Sequence, residues 1–233
     1  MAEISGAIFD CDGTLIDSMT MWYGAFDNLL ASYDITAPAG FKERVEPMTI
    51  PDSCALIHAE LGVGASGAAL VDELEAYVAH EYETSIKVIP GARELVESLS
   101  AADVRLVVAS STTSRLVRDA LAVHGLLGYF SDVICTAEVR DGRDKDCPDV
   151  YLEALERLGT PREETWVFED APFGIRTARQ AGFHVAAICN EGDGRDEAFV
   201  RSWADIFSRG YASLLLEAIR GFDDAARRPM PEE

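Results

Sequence analysis

Five short runs of apolar and β-branched residues recur along this chain with helix-period segments between most of them, and no other feature restricts the fold as much. GAIFD (6–10), VRLVVAS (104–110), SDVICT (131–136), TWVFED (165–170) and FHVAAIC (183–189) read as strands. GARELVESLSAA (91–102), TSRLVRDALAVHG (113–125), PDVYLEALERLG (148–159) and FGIRTARQAG (173–182) read as helices, and three of these close on glycine, which ends helices by taking the left-handed conformation. The strands are continuously apolar rather than alternating, so both faces of their sheet must be covered. Strand–helix alternation supplies the cover and makes the sheet parallel. The expected class is α/β.

One interval breaks the rhythm. From 17 to 85 no strand pattern occurs, and DSMTMWYGAFDNLLASY, IPDSCALIHAELG and AALVDELEAYVAHEYE all read as amphipathic helices. Pro90 and Gly91 then mark the return to the α/β pattern. The expected organisation is therefore a core made of 1–16 and 86–233, with a helical cap at 17–85 inserted directly after the first strand. Ligands of open parallel sheets bind outside the carboxyl ends of the strands. An insert leaving from that edge is placed to act as a lid and to supply substrate contacts.

Of 233 residues, 48% are hydrophobic and 26% charged, enough for a soluble chain with a substantial core. The net charge of −21, from 41 acids against 20 bases, repels nucleic acid and anionic membrane and removes both from the expected partners. Cys11, Cys54, Cys135, Cys147 and Cys189 are odd in number and form no CxxC pair, as in a reducing compartment. No basic stretch followed by an apolar run opens the chain, and no apolar run reaches the roughly 18 residues of a membrane span. A cytoplasmic protein, monomeric or weakly dimeric, is expected.

The strand ends carry the chemistry. The first run ends in Asp10 and Asp12, followed by Gly13 and Thr14; the second ends in Ser110, Ser111 and Thr112; the fourth ends in Glu169 and Asp170; Lys145 lies in the loop after the third. In a parallel sheet these all meet at one edge. Clustered carboxylates cannot all ionise without a counter-charge. Mg²⁺ supplies one, because it takes a few carboxylate oxygens and leaves positions for a substrate phosphate. Lys145 suits a phosphate oxygen as a point charge, and Ser110, with Ser111 beside it, suits another as a donor. The turn at Gly13 lets main-chain N–H groups approach the same phosphate. In such a phosphoryl-transfer site Asp10 is the nucleophile, forming an acyl phosphate. Asp12 is the general acid and base, with its side chain off the metal and only its carbonyl bound. The expected metal set is Asp10, Asp12, Glu169 and Asp170.

These residues resemble the haloacid dehalogenase superfamily over nearly the whole chain. DCDGT (10–14), VVASS (107–111), Lys145 in KDCPD, and VFEDAPFGI (167–175) stand in the order of the four motifs of that family. The resemblance implies a Rossmann-like core with sheet order 5-4-1-2-3. It also implies the helical cap of the subgroup holding sugar-phosphate phosphatases and β-phosphoglucomutase, with Asp10 and Asp12 catalytic, Ser110 and Lys145 on phosphate, and Asp170 on Mg²⁺ with Glu169 close by. The expected activity is a Mg²⁺-dependent phosphatase acting on a small phosphorylated metabolite such as a sugar phosphate. The main rival is a phosphomutase with the same aspartyl-phosphate chemistry. DSMTMW (17–22) resembles the DSxxxW of some sugar-phosphate phosphatases, whereas the mutases compared carry histidine where Trp22 stands. Asp146 follows the motif lysine where the family often has proline; its acid either weakens the pull of Lys145 on phosphate or points outward. A dehalogenase or a phosphonate hydrolase fits less well, since both groups depart at the position of Asp12. A binding protein on the same fold would not need the intact set of acids.

Other signals read as structure. GVGASG (62–67) matches GxGxxG in letters but follows a helical stretch, so it is a joint inside the cap. His58, His80, His124 and His184 show no ligand spacing. Trp22, Arg44, Met48 and His58 either face substrate or pack cap helices.

Overall fold

The structure, a computed structural model, describes residues 4–45, 48–139, 143–190, 195–211, 216–223, 225 and 227–231. The chain divides into two units, Met1–Asp17 with Val88–Glu233, and Ser18–Lys87.

The first unit is built on a parallel sheet of β1 (Gly6–Phe9), β2 (Arg105–Ser110), β3 (Val133–Cys135), β4 (Thr165–Glu169), β5 (His184–Cys189) and β6 (Ile206–Arg209), in the order β3-β2-β1-β4-β5-β6. The five expected strands and their order are present, and the expected five-stranded sheet is corrected by a sixth strand added beside β5. That strand, IFSR, is short and only partly buried, so it carries no continuous apolar run for a sequence pattern to register.

Successive side chains of a strand face opposite ways. Ile8, Val107, Val167 and Val185 point to one face, where they pack with Val150, Tyr151 and Ala154 of α7 (Asp149–Leu158) and Ile175 and Ala178 of α8 (Pro172–Gln180). Phe9 and Phe168, each one residue further along, are buried on the opposite face and stack on each other with ring centroids 4.3 Å apart. Full burial of one such ring contributes about 1.5–3 kcal/mol. The other covering helices are α5 (Ala92–Ala101), α6 (Ser114–Val123), α9 (Glu197–Trp203) and α10 (Leu216–Arg220). Where the chain leaves and re-enters this unit the two passages run side by side, Ile89 N–H donating to Leu15 C=O at 3.0 Å.

The second unit is helical: α1 (Met19–Ala31), α2 (Lys42–Val45), α3 (Ile50–Leu61) and α4 (Gly67–Thr84). The short helix α2 is one the sequence pattern does not signal. The GVGASG segment joins α3 to α4: Gly62 ends α3 at φ 66°, and the Ser66 hydroxyl caps α4 by accepting from Ala69 N–H at 3.1 Å. A Cβ on Gly67 would lie 2.8 Å from Ala55 Cα, so this glycine is fixed by close helix approach and not by a phosphate. Trp22 donates from Nε1 to the Tyr82 hydroxyl at 3.3 Å, Arg44 pairs with Glu60 at 2.6 Å, and His58 Nδ1 lies 2.8 Å from Val63 C=O. Met48 is exposed. Among the described residues, no helix is long and apolar enough to cross a membrane.

Candidate active site

Asp10 follows β1 directly, and its N–H donates to Phe168 C=O at 2.9 Å, which sets the first strand tip beside the fourth. The side chain of Asp10 is 6% exposed. From the loop ahead of α7 comes Lys145, also buried, whose Nζ donates to Asp10 Oδ1 at 2.5 Å and to Glu169 Oε2 at 2.8 Å. Glu169 Oε2 also accepts from the Tyr151 hydroxyl at 3.0 Å. Its other oxygen accepts the N–H groups of Asp170 and Ala171 at 3.3 and 3.1 Å. Glu169 is thus held by four donors and in turn holds Lys145. Asp170 accepts from the Arg195 guanidinium.

Burial chiefly, with the nearby Glu169 charge, raises the Asp10 carboxyl to about 7, against the opposing pull of Lys145. For Lys145 burial works against the charged form, but Asp10 and Glu169 outweigh it and hold the ammonium well above its ordinary range. Burial also lifts Asp170, with Arg195 resisting and Asp10 and Glu169 adding to the rise.

Asp10, Glu169 and Asp170 each offer an oxygen within 4.8 Å of the others. Asp10 Oδ2 is buried and has no hydrogen-bond partner, a costly position that a cation or a reacting electrophile would relieve. An all-oxygen acidic set of this size suits a hard divalent ion such as Mg²⁺. The donor set therefore fits the cation.

The remaining expected site residues are not among these three clustered acids. Asp12 is two residues from Asp10, yet its carboxylate is held on the β2 side, accepting from Thr112 Oγ1 at 2.8 Å, and it is not among the clustered acids. Ser110 is buried at the tip of β2, and its Oγ accepts the Thr112 N–H at 3.0 Å, so its own O–H remains to be donated. The Ser111 side chain is exposed and donates to Asp144 Oδ1 at 2.5 Å, which ties the lysine loop to β2. The Gly13 N–H donates to Ile16 C=O at 2.9 Å within its turn, which needs the left-handed φ of 85° that glycine takes. The turn is held from outside by Asn190, donating to Gly13 C=O at 2.8 Å, and by Tyr211, donating to Thr14 C=O at 2.8 Å. Asp146 is exposed; the acid that touches the lysine segment is Asp144, which accepts the Lys145 N–H at 2.7 Å.

The sequence places Thr112 at the tip of the second strand without giving it a role, and it does not signal Tyr151, Arg195, Asn190 or Tyr211. Tyr151 sits on the apolar face of an amphipathic helix and reads as core, and the others are single polar residues without a motif.

A family model described as haloacid dehalogenase-like hydrolase matches residues 7–188. The phosphorylated carbohydrates phosphatase of Thermotoga maritima is 28% identical over 206 residues, 84% of this chain and 91% of that protein. Hexitol phosphatase A of Escherichia coli is 31% identical over 194 residues, 78% and 82% of the two chains. Among solved structures, CbbY from Rhodobacter sphaeroides in complex with phosphate shares the fold with a TM-score of 0.78 at 24% identity, covering 93% of this chain and 99% of its own.

Proposed function

The chain belongs to the haloacid dehalogenase-like hydrolase family, and from that footing we propose that it is a Mg²⁺-dependent phosphatase of small sugar- or polyol-phosphate monoesters, working through an aspartyl phosphate on Asp10. The observation that carries this reading is the buried Asp10 carboxyl, tied by Oδ1 to Lys145 and left without a partner at Oδ2. The names of the relatives support the substrate class.

Asp10, Glu169 and Asp170 would hold the cation, which neutralises carboxylate and phosphate charge when bound. The residues of the chain do the rest. Lys145 fixes the nucleophile through one oxygen and keeps positive charge where phosphate charge arrives. Ser110 supplies an O–H toward a phosphate oxygen. Asp10 forms the bond to phosphorus as the ester P–O bond breaks, and Asp12 gives a proton to the departing oxygen. Asp12 then takes a proton from the water that hydrolyses the acyl phosphate, restoring both carboxyls.

The test is release of inorganic phosphate from p-nitrophenyl phosphate and from a panel of sugar and polyol phosphates, with Mg²⁺ and with EDTA. Release that requires Mg²⁺, disappears in Asp10→Asn, and is not accompanied by an isomerised sugar phosphate supports the reading. Normal turnover by Asp10→Asn contradicts it.

A further inference from the structure

Thr112 belongs to none of the roles above, yet it joins two of them. It lies two residues past the end of β2 and is 5% exposed. Its N–H donates to Ser110 Oγ at 3.0 Å, which fixes its backbone against the tip of the strand. From that fixed place its Oγ1 donates to Asp12 Oδ2 at 2.8 Å, across 100 residues of sequence. The threonine is anchored independently of Asp12, so its hydroxyl offers the carboxyl a fixed partner.

Resting on the phosphatase reading, we infer that Thr112 is a positioning residue for Asp12: its hydroxyl fixes the orientation from which the carboxyl gives its proton to the leaving group. In that step an Asp10 oxygen bonds to phosphorus, the ester P–O bond breaks, and the proton moves from the Asp12 carboxyl to the departing oxygen. The products are the aspartyl phosphate, the Asp12 carboxylate and a neutral alcohol.

The consequence is selective. p-Nitrophenolate departs without being protonated, whereas an alkoxide needs the proton, and a well-placed general acid contributes about 10²–10⁴-fold. Loss of Thr112 therefore weighs more on alkyl than on aryl esters. kcat/KM reports steps through alcohol release, so it isolates this half of the cycle.

The experiment measures kcat/KM in Mg²⁺ for p-nitrophenyl phosphate and for the fastest primary-alkyl ester in the sugar and polyol phosphate panel, using wild type, Thr112→Val and Thr112→Ser. The expected result is a loss in Thr112→Val about ten- to a hundredfold greater on the alkyl ester than on the aryl ester, with Thr112→Ser restoring most of it. Thermal melting of each variant accompanies the kinetics, and Thr112→Ala carries the comparison where Thr112→Val does not fold. Equal losses on both esters, or no restoration by serine, overturn the inference and leave the phosphatase reading intact. A wild type that hydrolyses the aryl ester but no alkyl ester also overturns it, because the proton would have no task. A wild type that hydrolyses neither overturns the phosphatase reading itself.

Discussion

Replacing Asp10 by asparagine separates the energetic role of this carboxyl from its chemical role. In the folded protein, burial and the Glu169 charge lift Asp10 from 3.8 to about 7, against Lys145. In the unfolded chain it titrates near 3.9. Between those values the folded state holds a proton that the unfolded state has released, so stability is highest below about pH 4 and falls as pH rises toward 7. A shift of about three units at 1.36 kcal/mol per unit gives about 4 kcal/mol lost at pH 8, and at pH 5 less than about 2 kcal/mol. Asparagine has nearly the same shape and is neutral throughout. In metal-free buffer Asp10→Asn should therefore be more stable than wild type by about 2–4 kcal/mol at pH 8, with a much smaller gap at pH 5. Urea unfolding in EDTA at the two pH values, followed by the fluorescence of buried Trp166 and Trp203, reads the difference. Millimolar MgCl₂ should stabilise wild type by mass action and narrow the gap. A variant less stable than wild type at pH 8, or a gap independent of pH, would refute the reasoning.

Lys145→Met leaves Asp10 and Glu169 buried without the ammonium that lies 2.5 and 2.8 Å from them. It should cost about 3–5 kcal/mol in urea unfolding at pH 8, and less when combined with Asp10→Asn. Arg195→Gln removes the guanidinium paired with Asp170; calorimetry on metal-stripped protein should find Mg²⁺ bound about tenfold more tightly, about 1.4 kcal/mol. In Gly174→Ala the new Cβ would lie 2.7 Å from the Tyr151 hydroxyl and 2.9 Å from Glu169 Cδ. This variant should lose about 1–3 kcal/mol by thermal melting, and its activity should fall as Glu169 is displaced from Lys145.

The sheet was legible in the sequence because its central strands are buried on both faces and so read as unbroken apolar runs. Ile206–Arg209 lies at the sheet edge with one buried residue, and no such run exists to be read. The acids at the strand tips were legible for a related reason: Asp10, Glu169 and Asp170 each follow or close an apolar strand, where a carboxylate has to be explained. The partners of those acids were not. Thr112 reaches Asp12 over 100 residues, and the Tyr151 hydroxyl meets Glu169 from a helix whose pattern reports only an apolar face. Nor was the contact of Ser111, a hydroxyl at a strand tip, with Asp144 in the lysine loop. Spacing in sequence places a residue at the edge of the sheet; which neighbour its side chain meets there is decided by tertiary packing.

The most direct test of the nucleophile is a rapid acid quench of the Mg²⁺-loaded enzyme during turnover, followed by peptide mapping for a bound phosphoryl group. The account predicts the phosphoryl group on the peptide carrying Asp10 and its loss in Asp10→Asn. Full turnover with no phosphorylated peptide at any quench time, together with undiminished hydrolysis by Asp10→Asn, would contradict it.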